Sequence, residues 1–536
     1  MEEKVYVLAY DIGTTGLKTC LYSVNESIRL EASDLCEYPL YILENGGAEQ
    51  DVDDWWNAMC ITTANVLKNS SIKAEKIKGL SFCSQMQGLV LVDEKGKALR
   101  RAMSYMDQRG VDEQKKGIKK GLKIAGMNAV KLLKSLYLTG GVSASVKDPL
   151  WKYKWVEKNE PEVFSKIYKW LDVKEYLILQ CTDKFCMTDD SANATFLYNT
   201  RKKQSVLSKS LCRMFGVDYN HMPEIIKSTD SAGGLTEKAA KQLGLNPHIP
   251  VFGGGGDLTL ISLGAGMTDE NDTHIYMGTS GWVASVLKKR TVDIDHMIAS
   301  IFGARTGYYN YIGEQETSGK CLEWVRDHLA LDSIGIYLEK KNVAEDPETI
   351  YNTLYDYLSE VISTVPPGAN GIIFTPWLHG NRAPFEDPNA RAMFFNINLN
   401  SGKNDMIRAV VEGMIYHNRW LLESIETRVK VGNSLRFAGG GAQSDITCQI
   451  LADVTGKTVE ALEDSKNTGA VGAAIICGLG LGIIDNYDAV KERIALRKTF
   501  QPDLTTGEFY NKNYKVFKTL YKSNKKSFAI MNGGMK

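Results

Sequence analysis

The chain has no excess charge of either sign, no paired cysteine motif and no unbroken apolar run, and each gap removes a class of function. Lys plus Arg and Asp plus Glu both total 64, so the formal net charge is zero. Neither nucleic acid nor an anionic membrane is therefore expected as a partner. The 10 cysteines are scattered without a CxxC pair, and Cys181 and Cys186 lack a matching second pair, so no zinc site is expected. The longest apolar stretch, Gly469 to Ile484, is broken by five glycines and makes a poor membrane span. Met1-Glu2-Glu3-Lys4 lacks the basic-then-apolar order of a secretory signal, and the expectation is a cytoplasmic protein with reduced thiols. The common nucleotide motifs are also missing. A GxGxxG starting at Gly253 or Gly254 meets Leu258 or Thr259 where its third glycine belongs. A Walker loop ending Gly456-Lys457-Thr458 meets Leu451 where its first belongs.

What is present is organised around Pro250-Val251-Phe252-Gly253-Gly254-Gly255-Gly256-Asp257. A short apolar run ends in four glycines and one carboxylate. Consecutive glycines weaken any strand or helix, so their use is close backbone approach. Asp257 at the tip of such a loop is placed where a reacting hydroxyl can reach it. By itself the stretch is also compatible with an Asx turn.

Residues 5–10 read as a buried strand and Leu17 to Tyr22 as its return, joined by a Gly-Thr turn, Gly13-Thr14-Thr15-Gly16, with Asp11 at its entrance. Such a turn offers backbone N–H groups and hydroxyls to an anion. Gly278-Thr279-Ser280-Gly281 repeats it between two further strand-like runs. Phe437-Ala438-Gly439-Gly440-Gly441 reads as the counterpart of Phe252-Gly253-Gly254-Gly255. Repetition on this scale implies two like domains whose hairpins face one polyphosphate.

Periodicity places helices over Trp55–Leu67, within Ser143–Gln180 (including Pro161 to Trp170), over Asn404–Glu426 and over Ile446–Val454, with strands at Ile77–Phe82 and Leu89–Val92. Residues 111–136 read as a Lys-rich solvated helical face, and the tail from 508 as another amphipathic helix. Strands alternating with helices make an α/β fold. At 536 residues, length favours about three domains or two large ones.

Asp11-Ile12-Gly13-Thr14-Thr15-Gly16, Met277-Gly278-Thr279-Ser280-Gly281, Gly439 to Ser444 and Gly253 to Asp257 together resemble the motifs of the FGGY family of carbohydrate kinases. That superfamily also holds hexokinase, actin and the heat-shock chaperone ATPase, and the resemblance spans nearly the whole chain. Glu49-Gln50-Asp51, Gln85-Met86-Gln87-Gly88, Asp148 to Trp155 and Trp377 to Pro384 are most similar to xylulokinase strings. The resemblance implies two ribonuclease H-like domains facing across a cleft, 1–257 and 258–500, with a helical tail at 501–536. It implies an ATP-dependent sugar kinase, with a ketopentose such as xylulose as acceptor and ribulose, glycerol, erythritol or gluconate as alternatives. Asp257 would be the catalytic base. Asp11, Gly13, Thr14, Thr15, Gly278, Thr279 and Ser280 would hold the phosphates, with Mg²⁺ in front of Asp11. Gly440, Gly441, Ala442 and Asp445 would hold adenosine. Met86, Gln87, Asp107 and Arg109 would join Asp257 at the sugar, unless Asp107 and Arg109 form only a surface ion pair. Gln87 and Leu258 stand where xylulokinases usually have His and Asn, and both are expected to shift the sugar preference. A homodimer is a further expectation, as is closure hinged near Leu258–Asp272. Two rivals are a chaperone-like ATPase switch and a sugar sensor without catalysis; neither needs both the Gly253–Asp257 and the Gln85–Gly88 loops together with an intact Asp11.

Overall fold

The computed structural model describes residues 4–124, 126–201, 206–330 and 356–533. Its first sheet begins with a hairpin of β1 (Tyr6–Ile12) and β2 (Gly16–Val24), in register from Tyr6 opposite Ser23 to Ile12 opposite Leu17, followed by β3 (Ile28–Glu37). The strand β4 (Ile77–Ser84) lies parallel on the other side of β1. Beyond β4 come β6 (Pro250–Phe252) and β7 (Gly255–Gly256), both parallel to it, with β5 (Ser231–Gly234) antiparallel at the edge.

β1 is apolar at successive positions rather than alternating, because both faces of the sheet are covered. Leu8 and Tyr10 share a core with Trp55 and Met59 of α1 (Val52–Ser70), which Asp51 caps by accepting from the Asp53 amide at 3.1 Å. Val7 and Ala9 point the other way, into a core with Ala470, Ala473 and Ile476. The intervening chain carries α2 (Pro149–Asn159), α3 (Val173–Thr182) and α4 (Asp189–Ala194). It then crosses to the second sheet through α5 (Asp257–Gly264).

The second sheet repeats the plan. Its hairpin is β8 (Thr273–Met277) with β9 (Gly281–Leu287), extended by β12 (Tyr309–Gln315), β11 (Ile298–Phe302) and β10 (Val292–Asp293). On the far side of β8 lie β13 (Ser434–Ala438) and β14 (Thr458–Leu462), both parallel, and antiparallel β15 (Leu496–Phe500) at the edge. The helices are α6 (Gly319–His328), α7 (Lys403–Glu426), α8 (Asp445–Thr455), α9 (Thr468–Gly480) and α10 (Gly507–Asn532). α9 follows β14 as α5 follows β7. The two equivalent helices pack on each other, and α9 covers the first sheet as well. α10 returns to the second core through Tyr510, Tyr514, Phe517 and Phe528. Burying a side chain such as Phe517 contributes about 2–3 kcal/mol. The result is a mixed α/β fold of two domains. Among the described residues no helix is long and apolar enough to cross a membrane.

Three expectations need correction. By sheet position, the strand matching β13 is β4, so the loop matching Gly439–Gly441 is Gln85–Gly88, and β6 with β7 matches β14. The glycine runs look alike because both must lie flat on a neighbouring strand. A Cβ at Gly254 would sit 2.1 Å from the Phe82 carbonyl oxygen, and one at Gly439 would sit 2.4 Å from that of Met277. Secondly, the helix starting at Pro161 stops at Phe164, and Lys169–Leu171 is a strand in which Trp170 pairs with Leu91. Thirdly, residues 111–136 form two helices, Val111–Ile118 and Ala129–Thr139, separated by the short strands Lys123–Ile124 and Met127–Asn128.

Candidate active site

The sheet register lines up four positions. Lys18, Asp11, Cys83 and Gly255 are successive partners across β2, β1, β4 and β7. Strands lie about 4.8 Å apart, so Asp11 and the start of the Asp257 loop are about 10 Å apart along this row. The Asp11 carboxyl is raised above its ordinary value by burial, with Lys18 and the Cys83 thiol countering. Lys18 Nζ donates to Asn467 Oδ1 at 3.0 Å, and Tyr22 Oη donates to Asp464 Oδ2 at 2.7 Å, so the hairpin is tied to the segment that leads into α9.

The first Gly-Thr turn is held by its carbonyls. Tyr38 Oη and Gln85 Nε2 donate to the Gly13 oxygen at 2.6 and 3.1 Å, Gln50 Nε2 to the Thr14 oxygen at 2.7 Å, and the Tyr38 amide to the Thr15 oxygen at 3.0 Å. The amides of Thr14 and Thr15 donate to no acceptor among the described residues, and Thr15 is exposed. The second turn has the same economy. Gly278 receives the Gly319 amide at 2.7 Å and Thr279 that of Ser318 at 3.2 Å, both from the start of α6. The Thr279 and Ser280 amides have no acceptor among the described residues, and both residues are exposed. Turn tips whose N–H groups have no acceptor among the described residues can take an anion. Met277 opposes Gly281 at the end of β8, and Gly439 lies against Met277, so the turn Gly440–Gln443 sits at the same sheet end as the second tip. Asp445, first in α8, is engaged by Arg497 Nη1 and by Lys498 Nζ at 2.7 Å. Arg497 Nη2 also reaches the Ala442 oxygen at 3.0 Å.

Asp257 opens α5. Its Oδ1 accepts the Leu258 amide at 2.8 Å, and Oδ2 accepts nothing else among the described residues. Burial pushes the carboxyl up to about 7, with the charges of Asp11, Glu314 and Asp172 adding to the effect. A carboxylate at that value is set near neutrality for taking a proton. Glu314 belongs to β12, so residues of both domains bear on this group.

The Gln85–Gly88 loop stands beside it. Met86 lies against Gly256, and Gln87 holds φ at +65°, the left-handed region. Asp107 and Arg109 do not form a surface pair. Asp107 is fully buried, and Arg109 donates to it through Nε at 3.0 Å and Nη2 at 2.7 Å. Arg109 also reaches Glu49 at 2.6 Å and stacks 4.4 Å above Trp155.

Several supporting residues escaped the sequence reading: Lys152 behind Gln87, Asp172 at the start of α3, and Lys174 with Asp190 behind Gly256. For Asp172, Lys174 and Asp190 the one signal was the presence of charges inside the apolar run Leu171 to Leu179 and just after a strand; Lys152, inside α2, had none. Among the described residues no three His, Cys, Asp or Glu side chains converge to hold a metal ion. A lone carboxylate such as Asp11 fits an ion that arrives with phosphates and keeps most of its waters.

Two family models match the chain: the N-terminal domain of the FGGY family of carbohydrate kinases over residues 6–264, and its C-terminal domain over 274–481. The chain is 27% identical to a xylulose kinase of Staphylococcus xylosus over 518 residues, covering 96% of this chain and 99% of that one. It is 28% identical to a gluconokinase of Bacillus subtilis over 491 residues, covering 91% and 90%. Its fold is similar to the crystal structure of gluconate kinase from Lactobacillus acidophilus, with a TM-score of 0.83, 22% identity and coverage of 99% and 100%.

Proposed function

The chain belongs to the FGGY family of carbohydrate kinases, and we propose that it transfers the γ-phosphoryl of ATP to a hydroxyl of a ketopentose such as xylulose, with Asp257 as the base. The observation that carries this reading is the single register row that sets Asp11 and its hairpin beside the Asp257 loop. In it, the amides and hydroxyls of Thr14, Thr15, Thr279 and Ser280, with Gly13 and Gly278, hold the phosphates. Gly440, Gly441 and Ala442 let the adenine lie against backbone, while Asp445, engaged by Arg497 and Lys498, braces that turn. Met86, Gln87, Asp107 and Arg109 form the sugar side.

Transfer needs an in-line hydroxyl and charge neutralisation more than covalent help. Asp257 accepts the hydroxyl proton as the new O–P bond forms and the β,γ-bridging oxygen leaves with ADP. Asp11 would hold Mg²⁺ when it is bound, and the ion would supply neutralising charge on the phosphates. Closure of domains 1–257 and 258–500, with 501–536 as a packed tail, keeps water from the phosphoryl group. Cytoplasmic residence and a homodimer are part of the same proposal.

The relatives named above act on both xylulose and gluconate, and Leu258 and Gln87 are where this chain departs from the xylulokinase pattern. Coupled ADP-release assays with D-xylulose, D- and L-ribulose, glycerol, erythritol and gluconate test the acceptor. Phosphorylation of gluconate alone would replace the ketopentose, and ATP hydrolysis indifferent to every acceptor would remove the sugar-kinase reading.

A further inference from the structure

The acceptor loop and the base loop are both fastened to one buried helix start. At the N-cap of α3, Asp172 Oδ2 accepts the Gln87 amide at 2.9 Å and Oδ1 accepts the Gly88 amide at 2.8 Å, as well as its own cap amide from Val173 at 2.8 Å. From the other side Lys152 Nζ donates to the Gln87 oxygen at 2.8 Å. Two side chains, through three hydrogen bonds to Gln87 and Gly88, thus hold Gln87 in its left-handed conformation, which is costly for a non-glycine residue.

Two residues further on, the fully buried Lys174 is held by the Glu175 carboxylate and donates to Thr188 Oγ1 and Ser191 Oγ, each at 2.7 Å. The Thr188 hydroxyl itself donates to Asp190 Oδ1 at 2.5 Å. Asp190 Oδ2 in turn accepts the Gly256 amide at 2.7 Å, the peptide immediately before Asp257. Every link has one donor and one acceptor: the ammonium donates to the hydroxyl and the hydroxyl to the carboxylate, which accepts the amide from the other end. A Cβ at position 255 would lie 3.1 Å from Asp190 Oδ2, so a side chain there would press on this carboxylate.

We propose that Asp172 and the Lys174–Thr188–Asp190 relay are positioning residues that set the separation of the sugar loop from the Asp257 base, so that one helix start aligns acceptor and base. This rests on the reading of Asp257 as the base. A misplacement of about 1 Å at such a site costs on the order of 10²-fold in rate, which gives the relay its leverage.

Thr188→Val removes the relay hydroxyl at nearly constant volume and leaves every charge in place. Its kcat falls about 10- to 100-fold, its KM for ATP and sugar stays near wild type, and amide exchange rises over residues 253–257. Thr188→Ser restores both rate and protection. Asp172→Asn, acting on the other loop, raises the sugar KM and leaves the ATP KM unchanged. A folded Thr188→Val with wild-type kcat and exchange overturns the proposal, as does failure of Thr188→Ser to rescue. A parallel loss of kcat, both KM values and melting temperature also overturns it, because that is a general structural defect. Should Thr188→Val not fold, Asp190→Asn is judged by the same split. If the wild-type chain phosphorylates no acceptor, the base reading fails, and local exchange over 253–257 still decides whether the relay holds the loop.

Discussion

Replacing Asp257 by asparagine tests the electrostatics and the chemistry of the site together. The side chain keeps its shape and its acceptor for the Leu258 amide, but loses its ionisation. In the wild type the carboxyl rises from 3.8 to about 7 on folding, burial being the largest cause. The native state therefore holds this proton more tightly than the unfolded chain. The resulting stability is full below about pH 4 and is lost as pH climbs to about 7. Asparagine has no such loss. About three units at ~1.36 kcal/mol each bound the effect near ~4 kcal/mol, and partial access of water reduces it to about 1–2 kcal/mol. The other carboxyls raised by burial, among them Asp11, Asp148 and Asp172, are common to both proteins and cancel to first order. Melting curves at pH 5 and pH 8 should show Asp257→Asn gaining on the wild type at the higher pH. Turnover should fall about 10²–10⁴-fold at pH 8, with ATP and sugar still bound. An equal gap in melting temperature at both pH values, or wild-type turnover, would refute the assignment of Asp257.

Gly254→Ala should destabilise the fold by about 2–4 kcal/mol, because φ is +65° and the new Cβ would meet the Phe82 oxygen at 2.1 Å. An unchanged melting temperature would contradict that packing. Small-angle scattering with an ATP analogue and sugar should show a smaller radius of gyration. Since α5 is packed on α9, the hinge expected near Leu258–Asp272 is best sought in 265–272, and an unchanged radius counts against closure. Gln87 and Leu258 should leave D-xylulose preferred by less than about a hundredfold in kcat/KM over the other acceptors, because an apolar contact discriminates by only about 1–3 kcal/mol; a larger preference would show that these positions do not set the sugar.

Much of the site was legible because its parts are local. A Gly-Thr turn between apolar runs and a carboxylate after four glycines declare themselves in a few residues, and β1 to β2 and β8 to β9 are hairpins as read. Long-range relations were not legible. Phe252-Gly253-Gly254-Gly255 and Phe437 to Gly441 look like repeats, yet the shared cause is backbone contact with Phe82 and Met277 at different places in the two sheets. Trp170 has helical company in sequence but pairs with Leu91, a contact nearly 80 residues away that overrides local periodicity. Asp107 and Arg109 read as sugar-side residues with a surface ion pair as the alternative, because charged residues are usually exposed, and only the fold brings Glu49 and Trp155 to enclose them. Lys174 and Asp190 likewise gain meaning only when Thr188 comes between them.

The central claim, that one register row makes a sugar phosphotransferase, is tested most directly by following both products of a single reaction. Wild-type protein with ATP and Mg²⁺ should release ADP only when an acceptor is added, and phosphorus NMR should show one new sugar phosphate ester for each ADP formed. ADP released at the same rate without acceptor, or with free phosphate in place of the ester, would contradict the account.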